Sequence, residues 1–191
     1  MEMVACLPAI GAFCLFYGYD WCVVRRPAAI FLRWGFGAGC GLVFLATFLA
    51  LTACLPLRQG MEKGFGWGAA ALLLGGLTAH SLFFALPKGT YTDPAAPRPV
   101  YDRKMYALCR HPGFLWFAGF YFCLGGLLGP KSWPCFGSLC ALDFVYILLQ
   151  DRWTFPLTFE GYGEYRRRVP FLVPTPHSFA RCLRQYANRK D

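Results

Sequence analysis

At 191 residues the chain is long enough for one domain, and its composition excludes an ordinary soluble one: 57% of residues are apolar and only 15% are charged, against about 25% charged in an average soluble domain. The net charge of +9 would suit nucleic acid, but the charges gather between long uncharged stretches, so they read first as membrane topology and no nucleic-acid partner is expected. The ten cysteines are scattered without a CxxC pair and fall mostly in apolar stretches, where cysteine acts as a small hydrophobe; neither a disulfide framework nor a metal site is expected.

A bilayer span takes about 20 mostly apolar residues, and five stretches qualify. The first, 3–24, follows Met1-Glu2-Met3, which lacks a basic leader; a retained span is expected rather than a cleaved signal peptide. The second runs over 34–57 and the third over 64–87, with His80 inside it. A polar loop, 88–110, carries Pro94, Pro97 and Pro99. The fourth and fifth spans, 112–130 and 132–150, are short enough for a tight hairpin, and Asp143 interrupts the fifth. A basic, aromatic tail completes the chain. The expected fold is an all-α, multi-pass bundle in one integral membrane domain: three N-terminal spans over 1–87, a second half over 88–175, and a basic tail over 176–191. The glycine groups Gly35, Gly37, Gly39, Gly41 and Gly64, Gly66, Gly68 lack a following GKS/T and read as close helix packing.

Counted over alternate connectors, Lys and Arg divide sixteen against three. That asymmetry predicts an extracytoplasmic N-terminus and a cytoplasmic C-terminus. It also places the 88–110 loop, the start of the fourth span and the tail on one face.

The chemistry-bearing residues fall on that face. In Tyr106-Ala-Leu-Cys-Arg110-His111-Pro112-Gly-Phe114, Pro112 suits the first position of a helix. Arg110 and His111 then stand at the helix mouth, where free N–H groups and the dipole favour an anion. An arginine snorkelling to headgroups would look the same, but a second cluster lies on the same side. Asp143, Tyr146 or Ile147, and Gln150 or Asp151 share one helical face. Tyr162, Tyr165 and Val169 repeat as an aromatic stripe, with Arg166, Arg167 and Arg168 on the other sides; an interfacial helix on anionic lipid is the alternative. Pro156 is expected to break or kink the helix between Asp151 and Tyr165. Asp20, beside Arg25, reads as a snorkelling or paired charge, and His80 as an interhelical hydrogen bond, with a place at the cytoplasmic site as its alternative.

The Arg110-His111-Pro112 start, the acidic Asp151 and the closing Gly161-Tyr162-Gly-Glu164-Tyr165-Arg-Arg-Arg168-Val169-Pro170 together resemble the isoprenylcysteine carboxyl methyltransferase family and the related phospholipid methyltransferases, over about 86–175. The resemblance implies a membrane methyltransferase using S-adenosylmethionine in a cytoplasmic pocket between the last two spans and the tail. A lipid or lipid-anchored acceptor, expected to be a carboxylate, would enter from the bilayer. Carried over by position, Tyr106, Arg110, His111, Pro112, Phe114, Asp151, Tyr162 and Tyr165 would hold the cofactor, and Arg110, Asp151 and Arg168 would serve catalysis. The chain departs from the pattern at Phe114, where the family has tyrosine, at Asp151, where it has glutamate, at Arg152, which replaces a second acidic residue, and at Lys104-Met105, where a glycine is missing. Two alternatives stand beside it. Membrane sterol reductases share an Arg-His-Pro motif and use NADPH, but polar residues follow it there and Gly113-Phe114-Leu115-Trp116-Phe117 follows here. The other is a non-catalytic member of the same fold.

Overall fold

The computed structural model describes residues 2–25, 31–54, 64–85 and 98–187. Arg58, Glu62, Lys63, Pro94 and Pro97, which figure in the connectors, lie outside the described residues. The described chain is helical, with α1 (Glu2–Arg25), α2 (Phe31–Cys54), α3 (Gly64–Phe83), α4 (Pro112–Leu128), α5 (Trp133–Leu149), α6 (Phe155–Thr158), α7 (Tyr162–Arg168) and α8 (Pro176–Ala187). Four helical runs are long and apolar enough to cross a membrane: 7–25, 34–54, 64–83 and a continuous 130–158. α4 is a fifth apolar helix of 17 residues, about 25 Å long. By the length and composition of these helices the chain is a multi-pass membrane protein.

These five helices pack in the order α2–α1–α5–α4–α3. α4 and α5 form the tight hairpin that their lengths predict. Gly129, with φ +89°, takes a backbone conformation that side chains rarely adopt, and Ser132 Oγ donates to its carbonyl at 2.7 Å. Tyr121 of α4 is buried and lies 2.6 Å from Thr47 Oγ1 of α2, a hydroxyl pair of the kind that joins helices where water is absent. Tryptophans mark both ends of the bundle, as interfacial residues do. Trp67 and Trp133 flank Phe122 at one end. Trp21 lies 5.4 Å from Trp153 at the other, with Arg25 over the Trp21 ring.

Three expectations are corrected. The glycine groups are not uniformly packing sites. A Cβ on Gly39 would meet the Phe16 ring at 2.5 Å, but Gly37, Gly41, Gly66 and Gly68 face open space. The other close approaches are Gly125 against Trp133 and Gly126 against Trp67, at 2.9 and 2.8 Å. Among the described residues His80 makes no interhelical hydrogen bond; it is exposed on α3 and stacks on Phe84, one turn away. Asp20 is neither snorkelling nor paired with Arg25. It is buried and accepts hydrogen bonds from Tyr146 at 3.1 Å and Thr154 at 3.2 Å, so a carboxyl of α1 is held by hydroxyls of the fifth span.

Gly39 yields a direct test. Replacing it with Leu forces the buried Phe16 ring out of its place between α1 and α2, and overpacking of this kind costs about 1–3 kcal/mol. The same change at Gly41 is expected to be near neutral. Thermal unfolding in detergent compares the two, and equal melting temperatures would refute the packing assignment.

Candidate functional site

The fifth span does not end near residue 150. Its helix widens into a π-turn over Gln150–Thr154 and continues as α6. Such single π-turns add a residue to the helical register and occur often at functional positions. Pro156 falls two residues beyond the π-turn, as the second residue of α6, and the helix runs on through it to Thr158. The break comes later, at extended Phe159 and at Gly161, whose φ of +76° suits glycine. There the chain turns back, and Glu160 bridges to the 98–100 segment: its N–H donates to Arg98 at 3.0 Å and its carbonyl accepts from Val100 at 3.2 Å.

The π-turn buries two polar side chains with different partners. Thr154 meets Asp20 of α1. Asp151 meets the start of α4 and the tail. Arg110 Nε donates to Asp151 Oδ1 at 2.7 Å and Nη2 donates to Oδ2 at 3.1 Å, the two-pronged geometry that suits guanidinium and carboxylate. Arg110 Nη1 donates to the carbonyls of Arg166 and Val169 at 2.8 and 2.9 Å. Tyr162 OH donates to Asp151 Oδ1 at 2.7 Å, and Arg166 Nε stands 3.6 Å from Oδ2. Both members of the central pair are buried, with side chains 9% and 4% exposed. This one ion pair therefore joins α4, the π-turn and α7.

The backbone follows the same path. Arg110 N–H donates to Pro170 and His111 N–H to Phe171, so the tail is laid against the mouth of α4. Pro112 is the first residue of that helix, as expected. The anion site expected there is satisfied from within the chain: the guanidinium is held by Asp151 and two tail carbonyls.

His111 is 6% exposed, stacks on Phe155 with ring centroids 5.6 Å apart and meets Phe171 edge-on. Its Nε2 lies 3.5 Å from Asp151 Oδ1, too far for a good hydrogen bond, and is buried with no hydrogen-bond partner. Burial lowers the His111 pKa, an effect that the Asp151 carboxylate opposes and the Arg110 guanidinium reinforces. The neutral ring is thus the folded-state form near pH 7. Below the ordinary histidine value of about 6.5, the unfolded chain binds a proton that the folded chain does not. Stability is therefore full above that value and falls as pH drops toward the lower folded-state pKa, by at most about 1.4 kcal/mol per pH unit. Melting temperature measured from about pH 7.5 to about pH 5.5 is expected to fall more steeply in the parent than in His111→Gln. Parallel curves would refute the assignment.

Beside the ion pair a small cavity of about 90 Å³ is lined by Val100, Tyr101, Tyr106, Arg110, Phe155, Phe159, Tyr162 and Tyr165. Tyr165 OH donates to the Tyr106 carbonyl at 2.8 Å and Tyr106 OH to the Ser81 carbonyl at 3.2 Å, so the walls are pinned to α3 and to α7. Burial raises the pKa of Tyr162 and of Tyr165, and both remain neutral donors. Burial likewise pushes the adjacent Cys109 thiol up to about 12, which leaves it a poor nucleophile.

Of the residues singled out in the sequence, Tyr106, Arg110, Tyr162 and Tyr165 line the cavity, with Asp151 and His111 behind Arg110. Phe114 is not among the lining residues; it packs on Phe144 at 5.7 Å between α4 and α5. Arg168 is on the surface, half exposed and 3.6 Å from Asp102, a pairing of little energetic weight. Phe159, at the head of the tail's aromatic cluster, lines the cavity as well, and Val100, Tyr101 and Phe155 are lining residues that no motif in the sequence marks. Phe155, Phe159 and Tyr162 recur at four and three residues, which was the available signal. No protein-family model, curated protein or solved structure matches the chain.

Proposed function

We propose that this chain is an integral membrane methyltransferase that uses S-adenosylmethionine, with the N-terminus extracytoplasmic, the site on the cytoplasmic face, and a lipid or lipid-anchored carboxylate as acceptor. The observation that carries the reading is the set of aromatic walls beside a guanidinium–carboxylate pair where the spans end. S-adenosylmethionine supplies a methyl group on a cationic sulfur. Tyr101, Tyr106, Phe155, Phe159, Tyr162 and Tyr165 offer the π-faces that attract such a cation and stack on an adenine. Arg110 and Asp151 suit the two charges of an amino-acid group, each exchanging its present partner for an opposite charge on the ligand. The residues fit in kind. In volume the cavity lies below the roughly 300 Å³ where ligand sites begin, so the tail turn has to give on binding. Neutral, buried His111 is available to accept a proton if the acceptor is an amine; a carboxylate acceptor needs no base, only alignment with the donor and exclusion of water.

A second reading has a specific observation behind it. Arg110 and Asp151 satisfy each other and the tail carbonyls, and the space beside them is small; both suit a non-catalytic protein in which the pair serves as a fastening. Calorimetric titration of the detergent-purified protein with S-adenosylmethionine, S-adenosylhomocysteine and NADPH separates the readings. The methyltransferase predicts that the first two bind and NADPH does not, and that Arg110→Ala abolishes binding. NADPH alone would move the chain to the reductases. A folded sample that binds none of the three would leave the fastening as the whole role of the pair.

A further inference from the structure

The last described helix of the tail is α8, Pro176–Ala187. Its start is fixed by a reciprocal cap in which Thr175 Oγ1 accepts from the Ser178 N–H at 3.1 Å and Ser178 Oγ accepts from the Thr175 N–H at 3.0 Å, with Pro176 at the first helical position. α8 docks on the short turn Lys104–Ala107. Gln185 Oε1 accepts from the Lys104 N–H at 2.6 Å, and Arg181 Nη2 donates to the Ala107 carbonyl at 3.2 Å. Ser178 and Cys182 are the buried residues of the helix.

The docking face of α8 is thus its polar one. Phe179, Leu183 and Tyr186, spaced four and three residues apart, form an apolar stripe that is left 54%, 53% and 49% exposed. Arg184 and His177 are exposed on the side away from the stripe. A soluble domain turns such a stripe inward. A helix with sharply separated faces, a basic polar side and low net hydrophobicity belongs in a membrane interface.

We infer that α8 lies on the bilayer surface, with Phe179 and Leu183 inserted among the headgroups and acyl chains of anionic lipid, Tyr186 at the rim of the stripe with its hydroxyl toward the Met105 backbone, and Arg184 at the headgroup level. Two observations select lipid as the occupant. The turn that carries α8 is tied to the end of α3 by the Tyr106–Ser81 hydrogen bond, and Leu82, Phe83 and Phe84 there are exposed apolar side chains, so the stripe belongs to the end of the bundle where the spans leave the membrane. α8 and the preceding α7 are also basic, with Arg181 and Arg184 following Arg166, Arg167 and Arg168, which matches anionic headgroups. The inference rests on the membrane spans and is independent of the methyltransferase reading.

The test places the photoreactive residue p-benzoylphenylalanine at position 183 of the full-length protein. The protein is reconstituted into phosphatidylcholine vesicles with and without phosphatidylglycerol and then irradiated. The expected product is a lipid adduct on the 176–187 peptide, enriched in phosphatidylglycerol and reduced about fivefold by Arg184→Glu. The same probe at position 163, in α7, is a control for general lipid access. Crosslinks to another protein copy, crosslinks within the chain, or failure to label any lipid would each overturn the proposal. Equal labelling with and without phosphatidylglycerol would overturn its anionic part.

Discussion

Replacing Asp151 with Ala is expected to be among the most disruptive single changes in the second half of the chain, at about 3–5 kcal/mol, because it leaves the buried Arg110 guanidinium without its counter-charge. Tyr162 loses its hydroxyl partner in the same step. The loss has a location. The Arg110 contacts to Arg166 and Val169 hold the tail, so hydrogen exchange over 162–187 should rise first while α1 to α3 stay protected. A double variant, Arg110→Met with Asp151→Leu, removes both charges and fills the space with apolar side chains. Pairs replaced in this way are often tolerated, so this variant should recover most of the melting temperature lost in Asp151→Ala. It should not recover adenosylmethionine binding. If it restored both, the pair would have no part in ligand binding. If it restored neither, the destabilisation would not come from an orphaned charge.

Tyr162→Ala should cost about 3–5 kcal/mol, the range for deleting a large buried aromatic side chain. Tyr162 is 3% exposed and packs on Phe155 and Tyr165, with Val169 in the same small core. Tyr162→Phe separates the ring from the hydroxyl. It should cost about 1.5–3 kcal/mol, the range for a hydrogen bond to a charged group, and keep the cavity wall. If the aromatic walls hold a cationic ligand, Tyr162→Phe keeps adenosylmethionine binding within a few-fold and Tyr162→Ala loses it. Equal binding in the two variants would remove Tyr162 from the site.

The spans were legible because uncharged runs of bilayer length need no knowledge of partners. Pro112 was legible as a helix start because proline is tolerated there on local grounds. The meeting of Arg110, Asp151 and Tyr162 followed from topology, which sends the 98–110 segment and the tail to one end of the bundle. What residue type could not convey was who satisfies whom. An arginine near an acid can bind a ligand's carboxylate or the acid itself, and the choice is made by the π-turn, a one-residue register change without a sequence marker. Asp20 illustrates the same limit. Proximity to Arg25 in sequence suggested an ion pair, whereas the helix turns its carboxyl toward Tyr146 and Thr154, more than 120 residues away. The glycines show it again: Gly39 and Gly41 look alike in sequence, and only one faces a neighbouring ring.

The π-turn also carries two contacts to distant parts of the chain. Thr154 grips Asp20 on the first helix, and three residues earlier Asp151 grips the tail. The two grips sit three residues apart on one helical turn. A molecule that drew Asp151 away from Arg110 would therefore act within one turn of the contact that joins the first and fifth helices.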